Sequence, residues 1–194
     1  FSFFFLHTME ERPKVSIKVT PKKDVGIVFT LGGDGSASSA VTSTISLRNK
    51  SAAAHLAFKV KTNNADKFWV EPKSGFIEPG ATVPIRVELR PDHARSVWDG
   101  ASDPRDFAKD RFLIQSVSVL ASEQADMGAG SEEARSSAVN AVFQNADPKT
   151  VLNTKRSVSV EVERGSGGVT ATEIVAAAEA LGEAEVAVSA AAAE

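Results

Sequence analysis

The chain has 194 residues, 42% of them hydrophobic, and a formal net charge of −3, which predicts one globular domain with short tails. It contains no cysteine, which excludes disulfides, thiolate metal sites and thiol catalysis, and it has no run of 18 apolar residues that predicts a transmembrane helix. Residues 14–164 hold 21 Lys and Arg against 18 Asp and Glu, an excess too small for a nucleic-acid-binding surface.

The two ends of the chain differ in composition from its middle. Residues 1–13 begin with an apolar run that is too short for a signal peptide, and we predict a disordered or non-native segment there. From Gly165, a Gly/Ser linker precedes an Ala/Glu-rich acidic stretch whose alanines offer little surface to bury. We therefore predict one domain at residues 14–164, followed at residues 165–194 by a linker and a disordered or frayed-helical tail.

Between these ends, short segments of alternating apolar and polar residues follow one another at regular spacing. Alternation with period two puts every second side chain on one face of a strand. Because Gly, Pro and Asn separate the segments, the pattern predicts an all-β antiparallel sandwich of seven or eight strands. The segments are residues 15–19, 27–29, 41–47, 56–60, 68–70, 83–89, 112–119 and 158–162.

Two segments interrupt the β pattern. Residues 92–110 are polar and predict a long loop with a helical turn. Residues 131–145 are rich in Ala, Ser and Glu, and Ala134, Ala138 and Val142 recur at helical spacing. We therefore predict a short helix within the 121–150 connection.

Cationic residues occupy outward positions of two predicted strands. Lys59 and Lys61 alternate with apolar residues in one strand, and Arg111 and Leu113 do so in another. Because side chains i and i+2 share a face, the cations and the leucine are predicted to lie on the outer surface. Such a surface suits a peptide with acidic residues and an apolar anchor, although the same residues also fit a plain solvated sheet face.

Other polar clusters do not match known site patterns. Asp99, Asp103, Asp106 and Asp110 lie close in sequence but lack the spacing of a calcium loop. The glycine-rich segment 32–35 is not followed by the Lys-Ser/Thr of a phosphate-binding loop, and a turn is the better interpretation. We predict no metal site, no cofactor and no enzymatic activity.

Six short segments carry a resemblance to a known family, which covers about residues 14–163. In these segments the chain resembles the major sperm protein (MSP) domain family and, within it, the VAP (VAMP-associated) proteins. The segments are LRN at 47–49, AFKVKT at 57–62, VEPKSGFI at 70–77, PG at 79–80, VELRP at 87–91 and KDRFLIQS at 109–116.

The resemblance implies an immunoglobulin-like sandwich of seven antiparallel strands. It also implies an adaptor that binds short acidic Phe-Phe (FFAT-like) motifs of partner proteins and recruits them to endoplasmic reticulum contact sites. The expected location is the cytoplasm, or the cytosolic face of the endoplasmic reticulum if the chain is a fragment of a tail-anchored protein. Membrane contact is otherwise expected to be indirect, no nucleic acid is expected as a partner, and a weak homodimer stays open.

The resemblance further implies which residues contact the peptide. Arg111 and Leu113 stand where the family usually has lysine and methionine, and Leu113 is expected to flank a phenylalanine pocket. Pro72, Ser74 and Gly75 are implied as residues that shape a structural loop. The implied peptide-binding residues are Lys59, Lys61, Thr62, Arg111, Leu113 and Lys155.

A second function stays open at the level of the sequence. Other members of the same family form filaments, and the free edges of a sandwich can pair with neighbouring chains. The alternative to a peptide-binding adaptor is therefore a self-assembling structural or cytoskeletal MSP-type protein.

Overall fold

Alternating apolar residues build nine strands within residues 11–33, 41–128 and 130–164, the part of the chain that the computed structural model describes. Eight of the strands, all except the sixth, coincide with segments that the alternating pattern predicts. The bounds are β1 Ile17–Thr20, β2 Ile27–Gly33, β3 Val41–Asn49, β4 Leu56–Thr62, β5 Phe68–Glu71, β6 Ser74–Ile77, β7 Thr82–Leu89, β8 Arg111–Ser118 and β9 Leu152–Arg164.

The strands form two sheets. One has four strands in the order β1-β3-β7-β5, and the other has five in the order β2-β9-β8-β4-β6. Phe29 of the five-stranded sheet stacks on Phe68 of the four-stranded sheet with ring centroids 5.7 Å apart. Since fully burying one such side chain contributes about 1.5–3 kcal/mol, this shared core holds the two sheets face to face. The all-β sandwich is thus confirmed in outline.

The strand count differs from the seven that the resemblance implies, and part of the difference lies at Pro72. The chain leaves the four-stranded sheet at the end of β5, passes Pro72, and enters the five-stranded sheet as β6. The sequence predicts no strand at β6, because its four residues are too few to show a period and include Gly75.

Two α-helices lie in the segments that interrupt the β pattern. Helix α1 (Pro91–Trp98), followed by a 3-10 helix at Pro104–Lys109, occupies most of the predicted 92–110 loop. Helix α2 (Glu132–Asn145) confirms the predicted short helix, and a 3-10 helix at Ala121–Gly128 precedes it. The hydroxyl of Ser131 accepts a hydrogen bond from the Ala134 backbone N–H at 3.1 Å and so caps the first turn of α2.

Arg12 lies within the segment 1–13 that the sequence predicts as disordered or non-native, but it is packed against the 121–150 connection. Its guanidinium donates to both carboxylate oxygens of Glu123 at 2.6 and 2.8 Å, and to the Val142 carbonyl of α2 at 3.3 Å. The two side chains are only 6% and 13% exposed, so this is a nearly buried, bidentate pair. Arg12 therefore helps to hold α2 in its position on the sheet.

The chain divides into two units, residues 1–31 with 37–162 and residues 32–36 with 163–194. Every site discussed below lies in the first unit. The predicted linker and acidic tail at residues 165–194, like residues 1–10, lie outside the described residues. Among the helices that are described, none has the length and apolar character needed to span a bilayer.

Candidate functional site

Strand β4 presents two lysines on the outer side of the five-stranded sheet. Phe58 and Val60 are buried in the core between the sheets, so the alternation directs Lys59 and Lys61 outward. Lys61 is exposed, whereas Lys59 is half-buried. The sequence pattern therefore places both ammonium groups as predicted.

The strand register brings the other predicted residues beside these lysines. Lys61 lies directly opposite Leu113 of β8, and Leu113 lies directly opposite Lys155 of β9. Neighbouring strands lie roughly 4.8 Å apart, so the backbones of the two lysines are roughly 10 Å apart with Leu113 between them. We call Lys59, Lys61, Leu113 and Lys155 the basic patch.

A second cross-strand row lies next to the row formed by Lys61, Leu113 and Lys155. Lys59 is the charged residue of this second row, and its other members are neutral. Lys59 faces Gln115 of β8, Gln115 faces Asn153 of β9, and the two amide side chains share a 2.9 Å hydrogen bond. Neither Gln115 nor Asn153 is among the peptide-binding residues that the sequence predicts. The alternation alone indicates their position. Gln115 is two residues from Leu113 and Asn153 is two residues from Lys155, so each faces the same side of the sheet as that residue.

Helix α2 bounds the basic patch on one side. Ala57 and Val117 lie on the outer face of the sheet one step further along, and Val139 and Val142 of α2 cover them in a small apolar cluster. At the border of this cluster, the Lys59 ammonium lies 4.5 Å from the centroid of the Phe143 ring. The outer face therefore has a covered half under α2 and an open half that carries the basic patch.

The environment of Lys59 changes its acid–base behaviour. Partial burial lowers the pKa of Lys59 below its usual value, and repulsion from the Lys61 charge lowers this pKa further. The Phe143 ring opposes these effects, because the face of an aromatic ring attracts a cation. Lys59 thus offers a positive charge that the ring holds in one position, whereas Lys61 and Lys155 extend into solvent.

Arg111 and Thr62 are placed differently from the four residues of the basic patch. The Arg111 guanidinium donates through Nη1 to the Ala108 carbonyl, and to the Asp110 carbonyl at 2.7 Å, so it is turned toward the preceding 3-10 helix. Thr62 lies opposite the buried Phe112, and its hydroxyl accepts from the Asn64 backbone N–H at 3.1 Å. Thr62 thus lies on the same, inward side of β4 as Phe58 and Val60, and it stabilises the turn that follows.

Of the three residues implied to shape a loop, Pro72 lies at the corner between β5 and β6, whereas Ser74 and Gly75 are the first two residues of strand β6. Pro72 occupies the corner, and Ser74 lies opposite Lys59. A Cβ at Gly75 would lie 3.0 Å from the Phe58 ring, so the missing side chain allows Phe58 to approach β6 closely. This contact supports the strand that carries the two lysines.

A buried asparagine, which the sequence analysis used only as part of a family segment, fixes the other end of β6. The Asn49 amide donates to the carbonyls of Ala54, Ile77 and Glu78 at 2.8, 3.2 and 3.1 Å. It therefore joins the end of β3 to the start of β4 and the end of β6. The sequence does not predict that Asn49 joins these strands, because a single asparagine at the end of an alternating segment forms no recognisable pattern.

The chain was compared with models of protein families. The model described as the MSP (Major sperm protein) domain matches residues 16–138, which is more than half of the chain. The chain belongs to the major sperm protein domain family. Of the two lysine-bearing strands of the basic patch, β4 lies within the matched range and β9 follows it.

Curated relatives agree with this family, and solved structures of family members are also similar to the chain. Vesicle-associated membrane protein-associated protein A of Homo sapiens is 37% identical over 78 residues, which are 40% of this chain and 27% of that protein. Vesicle-associated membrane protein/synaptobrevin-binding protein of Aplysia californica is 26% identical over 125 residues, 64% of this chain and 40% of that protein. WR4, an MSP family member of C. elegans, has a TM-score of 0.44 and 18% identity, covering 76% of this chain and 97% of its own.

The family model and the curated relatives confirm the resemblance to the MSP domain family and, within it, to the VAMP-associated proteins. The aligned residues span less than half the length of the two curated relatives. What those whole proteins do is therefore considered for this chain only as a proposal.

Proposed function

We propose that this MSP domain is an adaptor module that binds short acidic Phe-Phe (FFAT-like) motifs of partner proteins at the basic patch. The observation that carries the proposal is the cross-strand row in which Lys61 and Lys155 flank Leu113. Within the described residues none of the three lysines of the basic patch forms an ion pair with a carboxylate, so their positive charge is available to acidic residues of a ligand. An extended peptide can lie on such a surface with alternate side chains in contact with it.

The expected affinity follows from the size of the separate contributions. Each exposed ion pair contributes about 0–1 kcal/mol, so the acidic residues mainly raise the association rate and the sensitivity to salt. Burying a phenylalanine against Leu113 contributes about 1.5–3 kcal/mol before the cost of ordering the peptide. A dissociation constant in the micromolar range, on the order of −8 kcal/mol, is the natural expectation.

The relation to membranes is part of the same proposal. An adaptor of this kind would recruit its partners to endoplasmic reticulum contact sites, and the domain would lie in the cytoplasm or on the cytosolic face of that organelle. Neither a catalytic role nor a nucleic-acid ligand is part of the proposal.

A titration with a labelled peptide tests the proposed site. A fluorescent peptide with two adjacent phenylalanines in an acidic tract is titrated with the wild-type domain and with Lys61→Asp plus Leu113→Asp. We expect micromolar binding that the double variant abolishes. The matched control is Lys18→Asp plus Trp69→Asp, which changes one exposed lysine and one exposed apolar residue of the other sheet. Absence of binding, or equal binding by the patch variant, would reject the proposal.

Self-assembly is the second candidate, and the sheet edges favour it. Strands β5 and β6 each end a sheet, so one side of each has no partner strand within the described residues. Free edges of this kind can pair with a second chain. Sedimentation velocity at increasing concentration, without peptide, separates the two candidates: a monomer at high concentration counts against self-assembly.

A further inference from the structure

A groove runs along the free side of β6, between this strand and helix α2. Its volume is about 750 Å³, and residues of β6, of the corner around Pro72 and of the first half of α2 line it. None of the four residues of the basic patch is among the lining residues. The groove is therefore a separate surface of the domain, which we call the edge groove.

The backbone of β6 can accept another strand on the side of the edge groove. The Val60 N–H donates to the Lys73 carbonyl at 2.8 Å, so Lys73 and Gly75 direct their backbone groups toward β4. In an antiparallel ladder alternate residues face opposite neighbours, so the N–H and C=O groups of Ser74 and Phe76 face the edge groove. β6 contains neither a charged residue nor a proline, the usual protections of an edge strand.

The side chains around this edge provide an apolar contact surface. Phe76 of β6 and Met127, which precedes α2, are half-buried and line the edge groove together with Val83 of β7. A strand edge with a helix along one side is a known arrangement for peptide recognition: the ligand pairs with the edge, and its alternate side chains enter apolar pockets.

Charge distinguishes the edge groove from the basic patch. Glu71 lies before β6, Glu78 follows it, and Glu132 lies on the first turn of α2, whereas Lys73 and Arg135 are the only cations lining the groove. In the part of the chain that is described, no ion pair involves any of these five residues. Carboxylates therefore outnumber cations here and stand at both ends of β6, which favours a ligand with basic residues at its two ends.

We propose that the edge groove is a second peptide-binding site, which adds to β6 an extended segment with an apolar centre and basic ends. The four residues of β6 span roughly 13 Å at about 3.3 Å per residue. A ligand of about six to eight residues would pair with β6 and still reach Glu71 and Glu78. The apolar centre would contact Phe76 and Met127. This site does not depend on the function proposed for the basic patch.

A peptide titration with the whole chain tests this proposal. The probe is a fluorescein-labelled octapeptide, Lys-Arg-Thr-Ile-Val-Thr-Lys-Arg, and the comparison peptide replaces its four basic residues by glutamate. We expect saturable binding of the basic probe only. Glu78→Lys plus Glu132→Lys, at exposed positions, should weaken binding at least about tenfold, and Met127→Asp should weaken it by a similar factor. Circular dichroism melts of the variants verify that each still folds.

Backbone pairing has its own readout. Hydrogen exchange followed by NMR should show slower exchange of the Ser74 and Phe76 amide protons when the basic probe is bound, because these protons would enter a new ladder. Unchanged exchange at both amides with bound probe would overturn strand addition.

Matched controls separate this site from the basic patch. Lys61→Asp plus Leu113→Asp should bind the basic probe as wild type does, and Glu78→Lys plus Glu132→Lys should still bind the acidic Phe-Phe peptide. The proposal is overturned if the basic probe does not bind, if the glutamate peptide binds equally well, or if only the patch variant loses binding. A concentration-dependent dimer that Met127→Asp dissolves would overturn it as well, because the occupant would then be a second copy of the chain.

Discussion

Trp69 and Leu113 are both apolar residues on outer sheet faces, but their neighbours differ in charge. Trp69 of the four-stranded sheet is 57% exposed, and the Arg90 guanidinium lies 6.0 Å from its ring. Beside it, Arg86 is paired with Glu88 at 2.9 Å. Leu113 of the five-stranded sheet lies between Lys61 and Lys155, and among the described residues neither lysine forms an ion pair with a carboxylate.

The difference shows that strand alternation alone does not create a binding surface. Around Trp69 the cross-strand neighbours have opposite signs, so their charges largely cancel at a short distance. Around Leu113 the neighbours have the same sign, which leaves a positive potential for a ligand. The sign of the cross-strand neighbours therefore distinguishes the surroundings of Leu113 from those of Trp69.

Reversing both charges around Leu113 is the largest expected change. In Lys61→Glu plus Lys155→Glu, two weak attractions become repulsions of similar size, about 2–3 kcal/mol in total, or roughly 30- to 150-fold in affinity. Fluorescence anisotropy with the acidic Phe-Phe peptide measures it at low salt. Lys18→Glu plus Arg48→Glu is the matched control, because these exposed cations also face each other across two strands. A loss of less than threefold in the patch variant would contradict the expected role of charge.

Removing the apolar residue from each region is expected to have the next largest effect. Leu113→Ala should weaken binding of the acidic Phe-Phe peptide by about 1–2 kcal/mol, roughly 5- to 30-fold, because the ligand's phenylalanine loses part of its contact surface. Trp69→Ala should leave the affinity unchanged. Calorimetric titration of the two variants checks both expectations, and equal effects would mean that Leu113 is not the anchor contact.

The sequence predicts most of the basic patch because its residues lie in regular strands. Once 59 and 61 are assigned to one strand and 113 to another, period-two alternation determines which side each residue faces. The register that puts Leu113 between Lys61 and Lys155 needed the resemblance, since alternation within one strand says nothing about its neighbour. The same alternation predicts that Thr62 faces inward, whereas the resemblance implies that Thr62 contacts the peptide.

Other contacts depend on residues far apart in the chain and could not be predicted. Arg12 contacts Glu123 and Phe143 contacts Lys59, and both pairs form only when the 121–150 connection folds back onto the sheet. The sequence predicted the helix but not the face of the sheet that it covers. The edge groove likewise needed β6, whose four residues show no period.

The cation–aromatic contacts of Lys59 and Arg90 provide a smaller test of the same comparison. Phe143→Leu should lower the free energy of unfolding by about 1 kcal/mol, since the half-buried ring contacts both the apolar cluster and Lys59. Arg90→Gln removes the more distant and more exposed contact at Trp69, and its effect should be below about 0.5 kcal/mol. Urea unfolding measures both. A larger effect for Arg90→Gln would mean that the exposure of the side chains does not determine which of the two contacts stabilises the protein more.

The pKa of Lys59 provides the smallest and most specific test. Partial burial and the Lys61 charge lower this pKa below 10.5, so the unfolded chain binds the proton more tightly than the folded one. The resulting destabilisation is fully present at pH values below the pKa of Lys59 in the folded protein. It is lost as the pH rises from that pKa toward 10.5, so the stability of the fold increases over this range. Lys61→Gln removes the repulsion, so the pKa of Lys59 should rise and the gain in stability should shrink. NMR titration of the Lys59 Cε and Nζ resonances measures the change. An unchanged pKa would mean that burial alone causes the shift and that the two lysines do not act on each other, which would weaken the description of the basic patch as one electrostatic unit.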